Sequence, residues 1–61
     1  MINIKKLSQK DIGRKVIYQE NKNKTPQDGT ITSFNNRYIF VNYSTGNQGI
    51  ATSPKDLNWL T

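Results

Sequence analysis

Apolar residues enter this chain in short alternating runs parted by polar stretches. The longest patterned stretch is Gly29-Thr-Ile-Thr-Ser-Phe-Asn-Asn-Arg-Tyr-Ile-Phe-Val-Asn-Tyr43. It reads as two β-strands joined at Asn35-Asn36, because β-branched and aromatic residues fill the flanks and Asn tolerates turn backbone. Two registers fit. A two-residue turn pairs Phe34 with Arg37 and Ile31 with Phe40. A three-residue loop, Phe34-Asn35-Asn36 with Asn36 left-handed, pairs Ser33 with Arg37 and Ile31 with Ile39. The second is preferred, since it gathers Ile31, Ile39, Val41 and Tyr43 on an aliphatic face and leaves Thr32, Tyr38, Phe40 and Asn42 on the other. A slip of one residue inverts that assignment.

The same pattern predicts the neighbouring elements. Residues 14–19 form a strand, with Val16 and Tyr18 on one face and Lys15 and Ile17 on the other. Residues 20–28 carry no aliphatic or aromatic side chain and read as a mobile loop. Residues 44–49 form a second turn and residues 50–53 a short strand. Ser53-Pro54-Lys55-Asp56 has Ser at the N-cap, Pro at the first helical position and an acid three residues after the cap, so a single 3₁₀ or α turn starts there. Leu57, Trp59 and Leu60 would then close the end of the fold. Near the N-terminus, Ser8-Gln9-Lys10-Asp11 fits a capping box, and Gly13 ends its one turn. Ile2 and Ile4 alternate with polar residues, as in a short leading strand.

Length narrows the architecture. A chain of 61 residues is one domain, made here of a leading strand or turn (1–11) and the main body (12–60). It buries only about 60% of the surface its unfolded chain exposes. It contains neither Cys nor His, so neither disulfides nor a Cys/His zinc cluster can supplement the core. An all-β closed sheet is the economical solution. The first residues lack the apolar run of a signal peptide, and no stretch approaches the ~18 apolar residues of a membrane span. A soluble, cytoplasmic protein is expected.

Charge suggests a class of partner. Nine Lys and Arg oppose four Asp and Glu, for a net charge of +5. That balance draws polyanions, although a net charge of about 2–8 also serves simple solubility. Seven of the nine cations are Lys, which lacks the bidentate fork of Arg, so backbone contact is favoured over base readout.

Catalysis finds little support. Without His there is no Ser-His-Asp triad, and Asp11, Glu20, Asp28 and Asp56 are dispersed, three of them beside turns or caps. No serine sits on a nucleophile elbow, and the glycines fall at turns or strand edges rather than in a phosphate loop. No enzyme activity, cofactor or metal is expected. Of six aromatic residues, Tyr18, Tyr43 and Trp59 are assigned to the core. Phe34 at the hairpin tip, with Tyr38 and Phe40 on the second face, could stack on unpaired bases or anchor a protein. They could equally be covered by a bent sheet or a dimer.

The succession Ile12-Gly13-Arg14-Lys15-Val16-Ile17-Tyr18, a polar loop, Asp28-Gly29-Thr30-Ile31-Thr32-Ser33-Phe34 and Tyr38-Ile39-Phe40-Val41-Asn42-Tyr43 resembles SH3-like barrels of the Tudor/KOW kind. The resemblance spans roughly residues 12–60. It implies a small barrel of four to five short antiparallel strands with a C-terminal 3₁₀ or helical turn, and it is poor in functional content. The chain also resembles short phage and prophage proteins that share a "GxITSFNxRYxFVxY…ATxPxDLxWL" pattern, which implies a phage origin and a bacterial host cytoplasm.

Two functions follow. In the first, a non-enzymatic module binds DNA or RNA, with Lys5, Lys6, Lys10, Arg14, Lys15, Lys22, Lys24 and Arg37 neutralising phosphates and Phe34, Tyr38 or Phe40 stacking. In the second, a phage-encoded interaction module engages a host enzyme or defence complex through the aromatic hairpin face. Nucleic acid is the expected partner ahead of a host protein. No membrane association is expected, and the chain would be a monomer or weak homodimer.

Overall fold

The computed structural model describes residues 1–43 and 49–60. Among them, five strands form one antiparallel sheet: β1 (Lys15–Tyr18), β2 (Gln27–Phe34), β3 (Ile39–Asn42), β4 (Ile50–Thr52) and β5 (Leu57–Trp59). Their order across the sheet is β4-β3-β2-β1-β5. Three 3₁₀ turns, Ile4–Lys6, Gln9–Asp11 and Pro54–Asp56, are the other regular elements. The all-β expectation holds, as does the C-terminal 3₁₀ turn. The turn expected over residues 44–49 lies, apart from Gly49, outside the described residues.

Every strand but β4 contributes at least one of the buried apolar side chains Val16, Ile31, Ile39, Val41 and Leu57, and β4 adds the buried Thr52. The Thr52 hydroxyl donates to the Ile50 carbonyl at 3.0 Å. Its one proton is thereby used, so the Tyr43 hydroxyl, 2.9 Å away, is the donor of that pair. Tyr18 and Tyr43 meet edge to face, with centroids 5.9 Å apart. Both pack against the core, as does Trp59.

The hairpin has neither of the two expected registers. Phe34 pairs with Ile39 and Ser33 with Phe40, whereas Ile31 pairs with Val41, so a bulge falls between Ile31 and Ser33. The connection is four residues long, 35–38. Asn35 closes it: its Oδ1 accepts from the Arg37 and Tyr38 amides, both at 2.8 Å. An Asx turn of this kind outcompetes a left-handed Asn36 because it satisfies two donors at once. The extra residue, Thr32, donates its hydroxyl to the Phe40 carbonyl at 3.1 Å. Alternation along β3 is undisturbed, so Ile39 and Val41 are buried with Ile31 as expected. On β2 the bulge resets alternation and turns Phe34 inward, half-buried against the core rather than exposed at a tip.

Four other expectations are corrected. Gln27 and Asp28 belong to β2, paired with Tyr18 and Ile17, so the loop ends at residue 26. Gly29 lies inside β2 and is buried. Residues 57–59 form β5 against β1 instead of a closing turn. The N-terminal segment is a pair of 3₁₀ turns, not a strand. Its Ile2 is 2% exposed and belongs to the core, and the Ile2 amide donates to the Pro54 carbonyl at 3.1 Å. Full burial of such a side chain stabilises by about 1.5–3 kcal/mol, so the first residues are an integral part of the fold.

Candidate functional site

Arg14 is the residue at which a lysine, a carboxylate and an indole ring meet. Its backbone is fixed by β2, since the Ile31 amide donates to the Arg14 carbonyl at 3.0 Å and the Gly13 amide to the Ile31 carbonyl at 2.8 Å. Gly13 takes φ +94°, a left-handed turn that lets the chain leave the Gln9–Asp11 turn and enter the sheet. Arg14 lies two residues before Val16, which pairs with Trp59. Residues two apart on a strand share a face, so the Arg14 side chain falls diagonally across the Trp59 ring. Its guanidinium carbon stands 3.8 Å from the ring centroid.

Asp11 completes the arrangement. Its Oδ1 accepts from Arg14 Nη1 at 3.0 Å, and its Oδ2 accepts from the Ser8 amide at 3.0 Å. The amide hydrogen bond from Ser8 and the bond from Arg14, aided by the charges of Arg14 and Lys10, hold this carboxyl below its ordinary value of 3.8. Its charge is therefore spent locally. A cleft of about 220 Å³ is lined by Ile2, Asn3, Lys6, Leu7, Asp11, Arg14 and Trp59. Lys5 and Lys10 are exposed on the two 3₁₀ turns beside it, and Lys15 is exposed on the outer face of β1, opposite Thr30.

The other expected residues lie elsewhere. Lys22 and Lys24 are exposed in the loop before β2. Arg37 and Tyr38 are exposed in the hairpin connection, and Phe40 is half-buried on the outer face between Ser33 and Ala51. Thus Lys6 and Arg14 share the cleft wall, Lys10 acts on Asp11 beside it, and Lys5 precedes Lys6 on the same turn. Arg37, Tyr38 and Phe40 lie in or next to the hairpin connection, and Phe34 packs against the core. Trp59 and Asp11, which the sequence reading left out of the site, belong to the first group. Their place depends on β5 pairing with β1, and a three-residue strand after a proline turn leaves almost no periodicity to detect.

A second cleft, of about 390 Å³, is lined by Tyr18, Gln27, Tyr43, Ile50, Ala51, Thr52, Ser53 and Asp56. None of these described lining residues is a cation. Burial holds the Tyr43 phenol above its ordinary 10.0, so this cleft presents neutral hydroxyls and one carboxylate. Among the described residues, no three His, Cys, Asp or Glu side chains converge on a point that could hold a metal ion. Likewise, no helix is long and apolar enough to cross a membrane. In comparisons with protein-family models, curated proteins and solved structures, the chain matches none.

Proposed function

We propose that this protein is a non-enzymatic nucleic-acid-binding module whose interface is the basic end formed by Lys5, Lys6, Lys10 and Arg14. The observation that carries the reading is that Lys6 and Arg14 share the wall of the Trp59 cleft, with Lys10 close enough to act on Asp11, the one acid among the described lining residues, which is already paired with Arg14. Among the described residues lining this cleft, a polyanion meets Lys6 and Arg14 and an acid that is already paired. Most contacts go to phosphates, as suits a surface in which Lys outnumbers Arg.

The scaffold of this reading is an SH3-like barrel. Support comes from the connection between the two edge strands. Laid flat, five strands at ~4.8 Å spacing would hold β4 and β5 about 19 Å apart. They would also run in the same direction, because each neighbour in the order is antiparallel. Only residues 53–56 join them, three of which are in the 3₁₀ turn Pro54–Asp56. Such a link spans at most about 15 Å. A strongly coiled, barrel-like sheet brings the end of β4 to the start of β5.

Fluorescence anisotropy of labelled single-stranded and double-stranded oligonucleotides tests the function. Lys6→Gln combined with Lys10→Gln is expected to weaken binding and to make the log–log salt slope shallower by about one to two units. An unchanged slope would remove this end of the molecule from the interface. Absence of binding would overturn the nucleic-acid reading and leave a protein partner as the alternative.

A further inference from the structure

We infer that the Arg14–Trp59 cleft selects unpaired bases, so that the nucleic acid held at this end is single-stranded. The inference rests on the nucleic-acid reading above and names its substrate class. Three restraints make the Arg14 guanidinium a fixed plate. One side lies against the indole at 3.8 Å. Nη1 is tied to Asp11 at 3.0 Å. The backbone is locked into the β2 ladder by the bonds of Gly13 and Arg14 with Ile31. Yet the side chain is 50% exposed, so the side away from the indole is open.

Guanidinium planes and aromatic rings are the surfaces on which splayed bases stack. A free surface arginine must lose rotamer freedom to take up that role, whereas Arg14 is already ordered, which lowers the cost of binding. The cleft, about 220 Å³, lies below the ~300 Å³ lower bound of drug-sized ligand sites. It suits one ring system, not the width of a helix. In a duplex both faces of nearly every base are covered by neighbours, so only the cations would be engaged there. A single strand can place one base on the plate and its flanking phosphates on Lys6 and Lys10.

Trp59 is the only tryptophan of the chain, so tryptophan emission, excited beyond the tyrosine absorption band, reports on this cleft. A short oligothymidylate and a blunt duplex of equal phosphate count are titrated into the protein at ~50 mM salt, where phosphate contacts are strong. The single strand is expected to bind about fivefold or more tighter than the duplex and to shift Trp59 emission to the blue as water leaves the cleft. Arg14→Lys keeps the charge but loses the plate, and its preference for the single strand is expected to fall to about twofold or less. Equal, salt-dependent binding of both oligonucleotides with unmoved Trp59 emission would overturn this inference while the wider reading stands. Failure to bind either one overturns both. Should Arg14→Lys not fold, the wild-type comparison of affinities and emission decides alone.

Discussion

Two residues show how closely single atoms are constrained in so small a core. A Cβ on Gly29 would overlap Val41 Cγ1 and stand 3.1 Å from Tyr43 Cδ1. Val41 is fully buried, so it has nowhere to move. Gly29→Ala is therefore expected to destabilise the fold by about 1–3 kcal/mol, the range of overpacked cores, as read by urea unfolding. A neutral result would mean that β2 does not lie this close to β3. Asp11 makes a different, pH-dependent contribution. Its folded value lies below its unfolded one, held down first by the Ser8 amide and then by Arg14. The ionised form therefore favours the folded chain: the stabilisation is complete well above pH 3.8 and is lost as pH falls through the lower folded value. The melting temperature of Asp11→Asn should lie below that of the parent at neutral pH, and the gap should close in acid below about pH 4. A gap of constant size would mean that the charge of Asp11 does nothing for stability.

At the scale of elements, the strands with period-two patterning were legible and the devices that join them were not. Val16, Ile31, Ile39 and Val41 stand on the expected face because alternation alone fixes a face. Register is another matter. The bulge at Thr32 adds one residue to β2 without altering the composition of the run, and the Asx turn at Asn35 is chosen by hydrogen bonds that compete with the Asn36 turn on nearly equal terms. The consequence is testable at Phe34. In the bulged register it packs on the core beside Ile39, so Phe34→Ala should cost about 1.5–3 kcal/mol, part of the 3–5 kcal/mol of a fully buried ring. A cost near zero would return Phe34 to an exposed hairpin tip. Strand β5 was missed for a related reason. Leu57-Asn58-Trp59 alternates over only three residues, directly after a proline-led turn. With β5 unread, the meeting of Arg14 and Trp59 could not be foreseen, although each residue is conspicuous in the chain. The basic half of the site was visible in Lys5, Lys6, Lys10 and Arg14. The aromatic that completes it was assigned to the core, which it does join on its inner side.

For the whole molecule, a net charge of +5 has two meanings, solubility or attraction to a polyanion, and only distribution separates them. The N-terminal segment, which carries Lys5, Lys6 and Lys10, anchors through Ile2 to the core and to Pro54, and it sets Lys6 in the cleft wall with Arg14 and Lys10 beside Asp11. The loop of Lys22 and Lys24 and the hairpin connection of Arg37 stand apart from that end. The central claim is that phosphates are neutralised by this grouped set, and the salt dependence of oligonucleotide affinity measures that directly. If four or five phosphates are engaged, the log–log slope is about −3 to −4.5, so raising salt from ~50 to ~200 mM should weaken binding by roughly 60- to 500-fold. Affinity that changes by less than about threefold over the same range, or that is absent at the lower salt, would contradict the account.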